Sequence, residues 1–414
     1  MENISESEHK SEQIMIDPKE VEVSIAKAKE WLMNSGIQNT DSKLLEVKGG
    51  FNSWYDINNE NYFYTYSEIT GYAITNLLFL REKENKNLYL LRAILAAEWI
   101  LDKASHKSGG VKTRYFFDKQ NAQKDYDFSS GVIHAFDNGI VLNGLIDLYN
   151  ATEETRYLKT GKIIGDLLIE VMQKEDGGLH ASYSHQEESF KNSDEKWSSQ
   201  SGSFHGKVIM GLLKLYDVTK EEKYKNAAIK LSNYSLKFQE ADGRFVTYKK
   251  EGDTHLHPHC YSAEGLVFAG LYLKSTTYLQ SAAKAVTWAL DHQMENNGIP
   301  SMYVNNKSIA VERSDVLAQT LRLGIIMRSL NLIDKSYEEK LHKLAQRLVA
   351  FQSKSDDARE NGGFLYGIDI DYRSMQTSQK NHVNSWCTMF ALQALTYYKE
   401  YMEGKFVFDK NELV

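Results

Sequence analysis

The sequence predicts an all-α protein, an (α/α)6 toroid of six helical hairpins with long loops that carry short β segments. Three observations lead there. Charge-rich amphipathic stretches alternate with more apolar ones along nearly the whole chain. The apolar stretches share an alignable glycine frame. Only three prolines occur in 414 residues, which suits helices with few forced breaks.

In chain order, residues 1–18 read as a disordered tail, because almost nothing there can be buried. Residues 19–414 read as one toroid. The charged series runs 21–35, 87–105, 154–173, 221–239, 277–294 and 335–352, with apolar residues at i, i+3, i+4 and i+7. The second series runs 67–80, 130–149, 201–216, 259–273, 314–330 and 383–401. It is apolar on more sides, as helices enclosed by others must be. Paired charged-then-apolar, they make six hairpins. Gly71, Gly139, Gly206 and Gly265 each precede a small or polar residue by five, as in GIVLNGLIDLY and GKVIMGLLKLY. The same frame reaches Gln319 and Met389, so the anchors recur every 54 to 70 residues, a long period that leaves room for functional loops. Glycine signals such as Gly49–Phe51, Gly109–Val111 and Gly362–Phe364 end the charged helices. Strand-like stretches follow several of them: RYFFD, RFVTYKK and FLYGIDI.

Composition narrows the function. Basic residues number 49 and acidic residues 56, a net charge of −7, which argues against a nucleic-acid surface. Two cysteines, Cys260 and Cys387, exclude a disulfide scaffold. The N-terminus lacks the basic and apolar regions of a signal peptide, and no apolar run approaches the ~18–20 residues of a membrane span. A cytoplasmic protein with no cofactor is the expectation. The composition leaves the oligomeric state open.

Inner-helix starts in a toroid ring one mouth of the central cavity. Glu68, Asp137, His205, Glu264, Asp315 and His382 stand near those starts and are expected to face it together. Asp137, inside the apolar run GVIHAFDNGIVLNGL, is a candidate acid or base, with a helix N-cap as the alternative. Glu264 is a candidate partner carboxylate, since glycoside hydrolysis uses two; first-turn dipole stabilisation is its alternative. His205, His259 and His382 form a rival catalytic set, able to move protons near neutral pH. Tyr66, Glu68, Tyr72, His134, Asn138, His257, Tyr261, Asp315 and Trp386 are candidate substrate contacts, with aromatic faces for sugar rings. Arg313 and Arg322 flank Asp315 and are candidate carboxylate clamps or structural ion pairs. The cysteines with His257, His259 and His382 invite a zinc reading, but no CxxC or HExxH spacing supports one and no metal is expected.

Six hairpins with GG-aromatic loops resemble the six-hairpin sugar-enzyme superfamily, which includes N-acylglucosamine 2-epimerases and unsaturated glucuronyl hydrolases. The strings YSEITGYAI, FDNGIVLNGL, HPHCYSAEGL and NSWCTMFALQAL resemble a branch found with polysaccharide-biosynthesis proteins. By resemblance to the 2-epimerases, His205 and His382 take the places of their acid/base histidines. HPHCYSAEGL is similar to their HPGHxxE pattern, although His259 precedes Glu264 by five residues rather than three. Their first-hairpin arginines have no counterpart here. The resemblance implies acid/base chemistry on a sugar or uronic-acid-containing glycan, as epimerase, lyase or glycoside hydrolase. The alternative is a catalytically silent glycan-binding or assembly protein. Prenyltransferase and terpene-cyclase toroids share the geometry as a remote alternative, but their DxDD and Asp-x-Cys signatures are absent.

Overall fold

The computed structural model describes residues 16–414. The first fifteen residues of the expected tail lie outside the described residues. Its last three are ordered: Ile16 is buried, Asp17 caps the first helix by accepting from Lys19 N, and Pro18 opens that helix. Proline suits a first helical turn, where its missing N–H costs nothing.

Twelve α-helices follow: α1 (Pro18–Asn34), α2 (Ser67–Glu84), α3 (Asn87–Trp99), α4 (Ala135–Thr152), α5 (Thr155–Asp166), α6 (Val208–Thr219), α7 (Glu222–Leu236), α8 (Leu256–Leu273), α9 (Thr276–Asp291), α10 (Ser314–Ser329), α11 (Glu338–Val349) and α12 (Ser385–Met402). The even-numbered helices form a closed inner ring, each packed on the next, with α12 returning to α2. The odd-numbered helices surround them, and α1 packs against α12. The tight hairpins therefore run apolar-then-charged, the reverse of the expected pairing. Only two residues join α2 to α3, α4 to α5, α6 to α7 and α8 to α9. The first residue of each of these turns, Asn85, Glu153, Lys220 and Lys274, is left-handed and ends the inner helix.

The loops at the other end carry the strands. Arg114–Phe116 and Phe364–Ile370 are strands as expected, whereas RFVTYKK forms only isolated bridges at Phe245 and Tyr248. The longest pair, Phe364–Ile370 with Thr377–Asn384, adds Trp54–Asp56 and Asn61–Tyr62 to make a four-stranded sheet. That sheet joins the last loop of the ring to the first.

The inner helices approach closely through small residues. A Cβ at Gly144 would stand 2.6 Å from the Gly71 carbonyl oxygen, and one at Gly265 would overlap the Gly206 carbonyl. Gly265→Ala is accordingly expected to force α8 away from the short helical turn Ser203–Lys207 that leads into α6 and to cost about 1–3 kcal/mol or more. A urea-unfolding midpoint equal to wild type would contradict that packing.

Candidate functional site

A cavity of about 690 Å³ opens at the N-terminal ends of the inner helices. The residues just before and just after each helix start line it: Tyr66 and Glu68 on α2, His134 and Phe136 on α4, His255 and His257 on α8, Arg313 on α10, and Trp386 on α12. Asp137 and Tyr261 also reach it.

The expected ring of six is not assembled. Glu68 and Asp137 line the cavity; His205, Glu264, Asp315 and His382 do not. One repeated hydrogen bond explains much of the difference. A backbone N–H of the glycine-rich loop donates to the fourth residue of the inner helix: Phe51 N to Thr70 Oγ1, Val111 N to Asn138 Oδ1, Phe364 N to Thr388 Oγ1, and Phe245 N to His259 Nδ1. His259 thus matches Thr70, Asn138 and Thr388, and the repeat position in α8 is Cys260, not Gly265. The expected frame slips by five residues in the fourth hairpin, about 7 Å of helix.

The slip places Glu264 in the floor. It accepts from Lys207 Nζ at 2.6 Å, Gln319 Nε2 at 3.3 Å and Arg322 Nε at 3.1 Å, with a second, shorter bond from Arg322 Nη2. Burial opposes its charge, yet Arg322 and Lys207 hold it below the usual carboxylate range. Burial pushes Lys207 down to about 7 against the pull of Glu264. The rings of Tyr72, Tyr261 and Phe390 surround the Lys207 ammonium at 4.9–5.2 Å and separate this floor from the cavity. Residues 411–414 enter from the opposite end, where Lys214 Nζ bonds Asn411 O, Gln393 Nε2 bonds Glu412 O, and Lys207 bonds Val414 O.

The histidines divide. His259 is a structural pin: Nδ1 accepts from Phe245 N, and Nε2 donates to Ala285 O at 3.0 Å. His205 sits fully buried behind Phe204, whose ring lines the cavity. Burial takes its pKa down to about 3. His382 is sandwiched between Trp54 and Tyr366, with ring centroids at 4.7 and 5.3 Å, so those two rings face the cavity in its place. His257 does reach the cavity, with Nδ1 2.6 Å from Gln319 Oε1 and 3.4 Å from Asp315 Oδ2. Burial keeps it neutral near pH 7, at about 4.

Asp315 lies under the surface. Arg313 grips it from Nε and Nη2, and Trp386 Nε1 donates at 3.1 Å. Burial works against its ionisation, but Arg313 and His257 hold it far below the usual range. Arg313 also places Nη1 2.9 Å from His255 Nε2. Asn138 spends both ends of its amide on backbone, accepting from Val111 N and donating to His134 O, and is sealed from solvent. Tyr72 and Arg322 belong to the floor. His134 lines the cavity, stacked on Tyr126 at 4.5 Å.

The acid pair remains. Tyr66 Oη donates to Asp137 Oδ1 at 3.3 Å. Asp137 Oδ2 is buried and has no hydrogen-bond partner among the described residues. Asp137 caps nothing: the N-cap of α4 is His134. Burial, then the Glu68 carboxylate, raises Asp137 well above the usual range, and burial raises Glu68 too. Two carboxyl groups in such a place share protons as a unit. Sequence reasoning did not find Arg114, Tyr126, Trp197 or the strap formed by the hairpin of strands Phe364–Ile370 and Thr377–Asn384. That strap roofs one side of the cavity. Tyr372 stacks on Tyr248 at 3.6 Å and donates to Asp253 Oδ2 at 2.7 Å, while Arg373 binds Glu251. Among the described residues no three His, Cys, Asp or Glu side chains are grouped to hold a metal ion, and no helix is long and apolar enough to cross a membrane.

The architecture is that of several solved sugar enzymes. A sugar epimerase from a ruminal bacterium superposes with a TM-score of 0.71 at 12% identity, over 90% of this chain and 98% of that one. Cellobiose 2-epimerase from Bacillus thermoamylovorans gives 0.71 at 12%, over 92% and 100%. Unsaturated glucuronyl hydrolase from Bacillus sp. GL1 gives 0.65 at 14%, over 93% and 97%. The likeness establishes the fold: the chain is an (α/α)6 toroid. No family model and no curated protein matches the sequence.

The floor yields a stability test. Glu264→Gln keeps the shape but leaves Arg322 and Lys207 buried without their carboxylate. A loss of about 3–5 kcal/mol in denaturant unfolding is expected, whereas a wild-type midpoint would show that the cations are neutralised in another way.

Proposed function

We propose that the protein is a carbohydrate-active enzyme and that Asp137 and Glu68 are its proton-transfer pair. The observation that carries this is the Asp137 carboxyl. It is buried, held well above the usual carboxylate range by burial and by Glu68, and stands, with one oxygen lacking a partner, at a cavity walled by Trp54, Trp386, Tyr66 and Tyr261. Aromatic walls fit sugar rings, and two carboxyls that share protons as a unit can supply the acid and the base that glycosidic-bond cleavage uses. The solved sugar enzymes of the same fold support the substrate class.

Glycosidic-bond cleavage, by hydrolysis or elimination, is favoured over two-histidine epimerisation. His205 is shut behind Phe204, and His382 is covered on both faces. A silent binding protein would need the aromatic walls but not two carboxyls with raised pKa values. A place in polysaccharide metabolism or biosynthesis fits the sequence strings that resemble that branch.

Asp137→Asn tests the reading on a panel of oligosaccharides and polysaccharides. The acid is no cap, so fold and stability should persist while turnover falls ~10²–10⁴-fold. Full turnover in both Asp137→Asn and Glu68→Gln would dismiss the pair. The pH dependence has a definite sign. Asp137 acts as its protonated form and its pKa is raised, so kcat/KM should hold through the ordinary carboxylate range and fall as pH climbs past the upper apparent pKa of the pair. Asp137→Asn should erase that alkaline limb.

A further inference from the structure

Four arginines stand at the cavity or in its floor, and three are neutralised. Arg313 is tied to Asp315, Arg322 to Glu264 and Arg373 to Glu251. Arg114 differs. It rises from strand Arg114–Phe116, paired with Tyr64–Tyr66, and lines the cavity beside the acid pair. No carboxylate lies within ion-pair distance of it among the described residues. Its guanidinium carbon sits 4.2 Å from the Tyr126 ring centre, 4.7 Å from Tyr66 and 4.8 Å from Tyr64. Nη1 donates to Gln123 Oε1 at 2.8 Å, and Nε is buried with no partner. Burial works against the charge, but a guanidinium keeps its proton even when buried, and the pKa of Arg114 is raised rather than lowered.

Aromatic faces hold a guanidinium without neutralising it. They leave the donors of the guanidinium to other partners, here Gln123 and the Tyr66 hydroxyl, and a carboxylate can meet such a fork in two parallel hydrogen bonds. A buried Nε–H left unmade is costly, and a bound anion would satisfy it. We propose that Arg114 is the receptor for the carboxylate of an acidic sugar, a uronate, seated next to Asp137 and Glu68. The inference rests on the carbohydrate reading of the cavity and names the substrate class within it. It also moves the carboxylate clamp from Arg313 and Arg322, whose donors are occupied by protein carboxylates, to the one cavity arginine whose donors are not.

Direct binding tests this without knowledge of the natural glycan. D-glucuronate and D-galacturonate are titrated against D-glucose and D-galactose by calorimetry, with sodium acetate as the control for a carboxylate without a sugar. At least one uronate is expected to bind tenfold or more tighter than its neutral counterpart and tighter than acetate. Arg114→Gln should erase that ratio, and Arg114→Lys should keep only part of it, having charge but no fork. The ratio is read within each variant, so a general loss of stability does not imitate the result. Equal affinity for uronate and neutral sugar in the wild type would overturn the inference and leave the carbohydrate reading intact. Preference for uronate that survives Arg114→Gln would overturn the role of Arg114. Binding of neither series would overturn the uronate site, while turnover of any glycan lost in Asp137→Asn would still uphold the broader reading.

Discussion

Backbone-to-backbone contact between neighbouring inner helices sets the size of everything else. The second small residue of one helix sits on the carbonyl of the first small residue of the helix before it: Gly144 on Gly71, Gly211 on Gly139, Gly265 on Gly206. Where α2 meets α12 the theme changes chemistry but not place, because Asn76 Nδ2 donates to the Met389 carbonyl. Side chains larger than hydrogen at these glycines would widen the ring. The distance across the mouth, and with it the reach of Glu68, Asp137 and Arg114 toward a common point, follows from that spacing.

Below the mouth the ring is filled in layers. An aromatic layer of Tyr72, Tyr261 and Phe390 lies over a polar one in which Glu264, Arg322 and Gln393 occupy equivalent positions on their helices. A buried ion network of this kind is weak evidence for stability in itself, since desolvation offsets much of the attraction. Its effect here is geometric. Lys207, Glu264 and Arg322 tie α8 and α10 to the segment before α6, and Gln393 extends the link to α12.

The ring, its six pairs and the alternation of helices were legible because each is written many times over, in hydrophobic period and in glycine. The same repetition misled by five residues in the fourth hairpin and by one in the fifth, where Ala318 rather than Gln319 matches Cys260 and Met389. Gly139 and Gly144, or Gly206 and Gly211, look alike in sequence, so Gly265 was read as a first-position glycine when it occupies the second, with Cys260 in the first. Glu264 and His259 were displaced with it. Asp137 and Glu68 stood out because charged groups in an apolar run need a cavity to explain them. Arg114 did not, because its setting is made by strand pairing with Tyr64–Tyr66 and by a loop that brings Tyr126 over it. Neither contact leaves a local trace. The histidines show the opposite limit: residue type suggested chemistry, whereas the backbone partners of His259 make it a brace.

The sheet that joins the two ends of the ring has a consequence for folding. Trp54 pairs with Asn384, and its ring packs against His382 and Trp386, more than three hundred residues away along the chain. Contacts of such separation carry the largest loop-closure entropy and form late. During synthesis the earlier hairpins can stack as a curved, open array while the wall of the cavity that holds Trp54 and Trp386 does not yet exist. The pocket is therefore completed only when α12 docks between α10 and α2, and partial chains that retain five hairpins would keep much of the helix content without an enclosed site.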